Sequence, residues 1–141
     1  MVLEGTAFWC FVTTPNTKFT PAYSVNLLVE EEVAERFRAR GFPVKDTDDG
    51  AVVIIKRKVN GPNGMIRQAP KLLDKSKTPI DIAVGNGSKV KVQCKEWESA
   101  WNGTTYKGLD FQAMQVLELV EYGQPDGAEF GIEEEAELEE L

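Results

Sequence analysis

The residues best suited to do chemistry lie between Lys89 and Glu98, where three lysines, a glutamine and a tryptophan alternate with Val90, Val92 and Cys94. In an extended strand this period puts Lys89, Lys91, Gln93, Lys95 and Trp97 on one face and the apolar side chains on the other. Three amines in a row ending at an indole suit a phosphate backbone with a base stacked at its end. Just beyond, Trp101-Asn102-Gly103-Thr104-Thr105-Tyr106-Lys107-Gly108 reads as a turn carrying two more rings and another base. Stacking requires only a flat π-face, tolerates any base and contributes roughly 1–3 kcal/mol per base. The competing reading is a solvated lysine face with Trp97 and Trp101 packed over a barrel end.

Other chemistry is excluded by what is missing. The chain contains no histidine, which removes Ser-His-Asp and Cys-His arrangements, HExxH zinc sites and any imidazole acid or base. Its two cysteines cannot complete a structural zinc quartet. Cys10 and Cys94 sit in apolar strand-like runs without a CxxC partner, which fits buried core thiols in a reducing compartment. Asp46, Asp48, Asp49 and Gly50 resemble the start of a calcium loop, but the twelfth position is Arg57, where a bidentate Glu is needed. A polar turn explains them better. A binding protein without catalytic groups, metal or cofactor is the expectation.

Charge separates the chain into two parts. Of 141 residues, 16 are basic and 23 acidic, a net of −7, yet the segment from Glu118 to Leu141 holds ten acids and no Lys or Arg. The rest is mildly basic. Between Val52 and Lys95 ten bases (Lys56, Arg57, Lys58, Arg67, Lys71, Lys75, Lys77, Lys89, Lys91 and Lys95) face only Asp74 and Asp81. A basic surface beside an acidic terminus suggests a polyanion-binding domain that carries its own competitor, the bland alternative being a solubilising tail. With 42% hydrophobic residues the chain suits one domain over 1–122 and a flexible acidic tail over 123–141. No signal-like start and no membrane-length apolar run occur, so a cytoplasmic protein without a membrane partner is expected.

The elements that must position these residues are mostly strands. Thr6–Thr14 is aromatic and β-branched and closes at Pro15-Asn16, and a second apolar run covers Tyr23–Val29. Between Glu30 and Arg40 the period changes to helical, with acids opening and Arg36, Arg38 and Arg40 closing the segment in keeping with the helix dipole. Val52–Val59 begins buried and emerges as Lys56-Arg57-Lys58. Residues 60–79 read as a long loop. Ile80–Val84 then leads through Gly85-Asn86-Gly87-Ser88, a hairpin signal whose two central residues need positive φ, into the lysine strand. Residues 108–122 form a last strand in which Leu109, Phe111, Ala113, Leu117 and Leu119 alternate with Asp110, Gln112 and Glu118.

Taken in order, these pieces resemble the tailed-bacteriophage single-stranded DNA-binding proteins, built on an OB-type barrel. The resemblance lies in the aromatic first strand Ala7-Phe8-Trp9, the strand end Ile55-Lys56-Arg57-Lys58, the turn Val84-Gly85-Asn86-Gly87-Ser88 before a valine/lysine strand, and Gly108-Leu109 with Gln115-Val116 and Leu119-Val120-Glu121-Tyr122 before the acidic tail. It spans essentially the full chain. It implies a mainly β, OB-fold-like five-stranded barrel with one helix and a disordered acidic tail, coating single strands during phage DNA replication and recombination. The implied groove uses Lys56, Lys58, Lys89, Lys91, Lys95, Trp97, Trp101 and Tyr106, and the neighbouring bases Arg57, Arg67 and Lys107 complete the DNA-binding set. It also implies a tail that docks replication proteins (a polymerase, helicase or nuclease) through Glu133, Glu134, Glu135, Glu137, Leu138, Glu139, Glu140 and Leu141. Two departures stand out: the helix precedes the third strand, and the chain ends in Leu141 where several such proteins end in an aromatic residue. A homodimer is compatible with the sequence.

Charge alone favours the same mechanism. About four phosphate contacts at roughly −0.7 each give a salt slope near −3. A tether carrying eight acids beyond Tyr122 keeps charge at millimolar-scale effective concentration near such a groove, so DNA and tail compete. The rival from another class is a DNA-mimicking regulator acting through its tail. A carboxylate-metal nuclease built on Asp46, Asp48 and Asp49 is a third, weaker reading.

Overall fold

The computed structural model describes residues 1–121, so Tyr122, the expected tail 123–141 and its docking segment Glu133–Leu141 lie outside the described residues. Five long strands form the body: β1 Val2–Asn16, β2 Ala22–Leu28, β4 Gly50–Lys58, β6 Ser88–Trp101 and β7 Thr104–Glu118. Two short strands, β3 Val44–Thr47 and β5 Lys71–Leu73, and one helix, α1 Glu31–Ala39, complete them. The sheet order is β3-β4-β2-β1-β6-β7-β5, antiparallel except where β5 runs parallel to β7.

Period-2 alternation builds the core. Ala7, Val25, Leu27, Val53, Ile55, Val90, Val92, Cys94, Phe111 and Met114 are each fully buried, and they come from the inward faces of all five long strands. The sheet coils into an OB-like barrel that ladder hydrogen bonds do not close. At the seam, Arg57 of β4 donates two bonds to Asp110 of β7, Nε to Oδ1 at 2.9 Å and Nη2 to Oδ2 at 2.7 Å. Both partners are partly buried, so this forked pair stands in for missing ladder bonds at the rim.

The helix lies between β2 and β3, as its place in the chain requires, and buries Ala34 and Phe37. Its arginines serve electrostatics: Arg36 pairs with Glu32, and Arg38 with Glu31, Glu35 and Asp46. Asp46 lies in β3 just before the polar turn at Asp48-Asp49, where Thr47 Oγ1 donates to the Gly50 carbonyl at 2.7 Å. That turn holds no arrangement of carboxylates suited to a metal among the described residues. Cys94 is a buried core cysteine as expected, whereas Cys10 is only partly buried against the core; burial pushes the Cys10 thiol up to about 12 and the Cys94 thiol up to about 11.

Three expectations are corrected. The hairpin signal at Asn86-Gly87 does not make a hairpin. Ile80–Val84 is not a strand; Val84 makes a single bridge to Glu121, and only Gly87 takes positive φ, at 95°. The Asn86 side chain is used elsewhere, accepting a bond from Trp9 N at 2.7 Å, while the buried Ser88 hydroxyl donates to the Gly85 carbonyl. Left-handed Asn-Gly turns form instead at Asn63-Gly64 (φ 58° and 76°) and at Asn102-Gly103 (φ 51° and 76°), the latter joining β6 to β7.

The expected loop 60–79 is structured: Asn60 bridges Ile66, and Lys71–Leu73 adds β5 against β7. The last strand also changes phase. Leu109 and Phe111 point inward as expected, but then Met114 and Val116 do so instead of Ala113 and Leu117. A register irregularity opposite Gln93/Cys94 inserts the extra residue that flips the alternation.

Candidate nucleic-acid interface

Past Cys94 and Phe111 the β6–β7 pair continues as a two-stranded arm to its turn at Asn102-Gly103, with Trp97 opposite Gly108, Ser99 opposite Tyr106 and Trp101 opposite Thr104. Directly opposed residues share a face, so Trp97, Trp101 and Tyr106 stand together on one side. They are 45%, 67% and 48% exposed, far more than a packing role requires. Trp97 lies on the backbone of Gly108: a Cβ there would come within 2.5 Å of the indole carbons. Glycine is therefore needed for the ring to lie flat.

The opposite face of the arm is fastened to the helix. Arg40 makes a forked pair with Glu96, each bond 2.8 Å. Lys107 Nζ donates to the Arg40 carbonyl at 2.8 Å and lies over the Phe42 ring. The Arg40 guanidinium beside Glu96 holds its carboxyl below the usual range and in return raises the Arg40 value. The root of the arm is tied by Asp110 to Arg57, which brings Lys56 and Lys58 alongside it. Both lysines are exposed and point away from Arg57, opposite Ser24 and Ala22 of β2. Among the described residues no hydrogen bond or ion pair engages the ammonium of Lys56, Lys58, Lys91 or Lys95.

The sequence-derived set thus separates. Lys56, Lys58, Lys95, Trp97, Trp101 and Tyr106 are exposed and lie on or beside the arm. Arg57 is committed to Asp110 and donates further to the Gln68 carbonyl. Arg67 bonds the carbonyls of Lys58 and Asn60 and pins the 60–66 loop. Lys107 caps the helix end. Lys89 donates to Thr6 Oγ1 at 2.9 Å and lines a cleft with Glu4, Glu30, Glu31, Asp49 and Glu118. Lys91 is exposed, with Glu4 and Gln115 as its cross-strand neighbours.

Sequence reasoning missed the outward face of β1, β2 and β4. Phe11, Ser24 and Lys56 stand in one cross-strand row, and Phe8, Asn26 and Ile54 in the next. Because Ala7, Leu27 and Val53 form a buried row between strands, the flanking Phe8 and its row point outward. It also missed Phe19, which is highly exposed beside Lys18 in the β1–β2 loop. An aromatic set between Lys18, Thr20 and Pro21 was the available signal.

Neither a family model nor a curated protein matches the sequence. Solved structures do match in fold. Gp2.5, a single-stranded DNA-binding protein encoded by bacteriophage T7, is 17% identical, with a TM-score of 0.66 over 95% of this chain and 97% of that one. The single-stranded DNA-binding protein of bacteriophage Enc34 is 10% identical, with a TM-score of 0.58 over 89% and 86%. The same protein in complex with single-stranded DNA has a TM-score of 0.59 over 84% and 85% at 10% identity. The chain therefore has the fold of these phage proteins along nearly its whole length.

Proposed function

We propose that this protein binds single-stranded DNA without strong sequence preference, as a non-enzymatic coat during phage replication and recombination. The observation that carries the reading is the arm: three exposed rings on one face, rooted beside Lys56 and Lys58, on a fold that proteins binding single-stranded DNA share. Rings supply sequence-tolerant stacking, and the ammonium groups follow the phosphates. The working contact set is Lys56, Lys58, Lys95, Trp97, Trp101 and Tyr106, with Lys91 at its margin. Arg57, Arg67 and Lys107 are left out because moving them to DNA would strand Asp110 or backbone carbonyls without their partners. Lys89 is left out because five carboxylates line its cleft.

The acidic tail competes with DNA for this surface and, once displaced, recruits replication proteins. Deleting 133–141 then tightens DNA binding at low salt. Unchanged or weaker affinity in the truncated protein would remove the competition.

The primary test is titration with labelled oligo-dT, following tryptophan fluorescence at low and moderate salt against a duplex of equal length. Saturable quenching that prefers the single strand and falls with a salt slope near −3, for about four phosphate contacts, is expected. No binding at either salt overturns the reading and points to a DNA-mimicking role for the tail.

A further inference from the structure

We infer that Trp9 and Phe11 form a second nucleobase-binding site, in a groove along the free edge of β1. The inference rests on the reading above and extends the DNA path beyond the arm. β1 pairs with β6 only from Val2 to Ala7, while its pairing with β2 continues to Asn16. Past Ala7 the β6-side edge faces residues 81–86 across a groove of about 490 Å³, lined by residues 9–14, residues 81–84 and Asn86.

Trp9 is the reason to assign this groove a ligand. It sits in the irregularity between Phe8 and Phe11 with φ at 52°, a left-handed conformation that a bulky residue rarely adopts and that persists only where surrounding structure enforces it. The enforcement is visible: Trp9 N donates to Asn86 Oδ1 at 2.7 Å, and Gly87 N donates to the Ala7 carbonyl at 2.9 Å. The strain gains no core packing in return, because Trp9 is 63% exposed. A strained backbone that holds a large ring out in water is explained by something that binds the ring.

The lining selects the ligand class. Trp9, Phe11, Ile82 and Ala83 provide flat and apolar walls. Thr13 and Thr14 bring hydroxyls, and the Asn86 amide nitrogen remains as a donor because its oxygen is engaged by Trp9. A planar heterocycle with a hydrogen-bonding edge suits this mixture. Among the described residues the one charged member of the lining is Asp81, which disfavours a phosphate inside the groove. Phosphates have a separate place, since Phe11, Ser24 and Lys56 form one cross-strand row and two strand spacings amount to roughly 10 Å. A backbone held over Lys56 and Lys58 could thus deliver a base to Trp9.

The test compares Trp9→Gly, Trp9→Phe and Trp101→Ala in the full chain, using a labelled oligo-dT and thermal unfolding. Trp9→Gly should melt at the same or a higher temperature, because glycine accepts this φ without strain. Its affinity should nevertheless fall roughly 5- to 150-fold, the equivalent of one lost stacked base, and Trp9→Phe should recover most of that loss. Affinity within twofold of wild type for Trp9→Gly, while Trp101→Ala binds weakly, would overturn the second site and leave the arm's role standing. Unchanged DNA affinity combined with loss of a protein contact would assign the groove to a protein instead. Failure of the wild-type chain to bind DNA would remove both readings together.

Discussion

The two halves of β6 share one alternation and meet different fates. From Ser88 to Cys94 the strand is flanked on both sides, and its outward lysines face Thr6 and Glu118 at Lys89 and Glu4 and Gln115 at Lys91. From Lys95 to Trp101 it leaves the barrel with β7 alone, and beyond Lys95, which stands opposite Asp110, its outward face carries Trp97 and Trp101, with Tyr106 opposite Ser99. Charge in the first half is offset by Glu4 and Glu118, and the Asp110 opposite Lys95 is already claimed by Arg57, whereas the aromatic surface of the second half is left bare. A lysine's value to a polyanion depends on what the sheet sets beside it, which alternation within one strand does not reveal.

The largest expected effect comes from stripping the arm. Trp97→Ala and Trp101→Ala should each cost roughly 1–3 kcal/mol of single-strand affinity, read by fluorescence polarisation of a labelled oligonucleotide. Gly108→Ala should act in the same direction without removing a ring, because its methyl group would displace the Trp97 indole. Full affinity in all three variants would put the binding surface on the barrel half.

A smaller effect is expected from loosening the arm's hold on the helix. Arg40→Ala should weaken binding, and combining it with Glu96→Gln should add little, because the two groups act as one contact. This anchor also carries a sign in pH. Glu96 is held below its ordinary value, so the pair's contribution is present at neutral pH and above, and is lost as pH falls through the lowered value. Tryptophan anisotropy should therefore hold through mild acid in the wild type and drop only below the usual carboxylate range, and be low at all pH in Arg40→Ala. A pH-independent wild type would remove the anchoring role.

The smallest effect should come from the barrel half itself. Lys89→Ala should leave the salt slope unchanged, whereas Lys56→Ala and Lys58→Ala should each reduce its magnitude by about 0.7. A reversed order would mean that DNA crosses the acidic cleft.

Much of this molecule was legible in its residues, because local rules suffice where neighbours along the chain decide. The helix followed from acids before and bases after a 3.6-residue pattern, and the inward set Val90, Val92 and Cys94 followed from the pleat. The turn at Asn102-Gly103 and its rings also read correctly, because a left-handed pair between two long strands leaves few other conformations. The Asn86-Gly87 signal misled because turn chemistry is permissive: it becomes a hairpin only if strands flank it, and here Asn86 serves Trp9 at the end of the β1–β6 ladder.

Composition and spacing by themselves determined a histidine-free, mainly β domain with a basic body, an aromatic turn and an acidic terminus. Tertiary structure alone decided which bases are spent and which remain available. Arg57 and Lys107 are indistinguishable from Lys56 and Lys95 in a sequence, yet Asp110 and the Arg40 carbonyl, 53 and 67 positions away, claim them. It also decided the strain at Trp9, which depends on a side chain 77 positions distant. The physical reason is the same in each case: alternation fixes the face on which a side chain stands, but a charge or a ring is engaged or left bare by groups that only the closed sheet brings within reach.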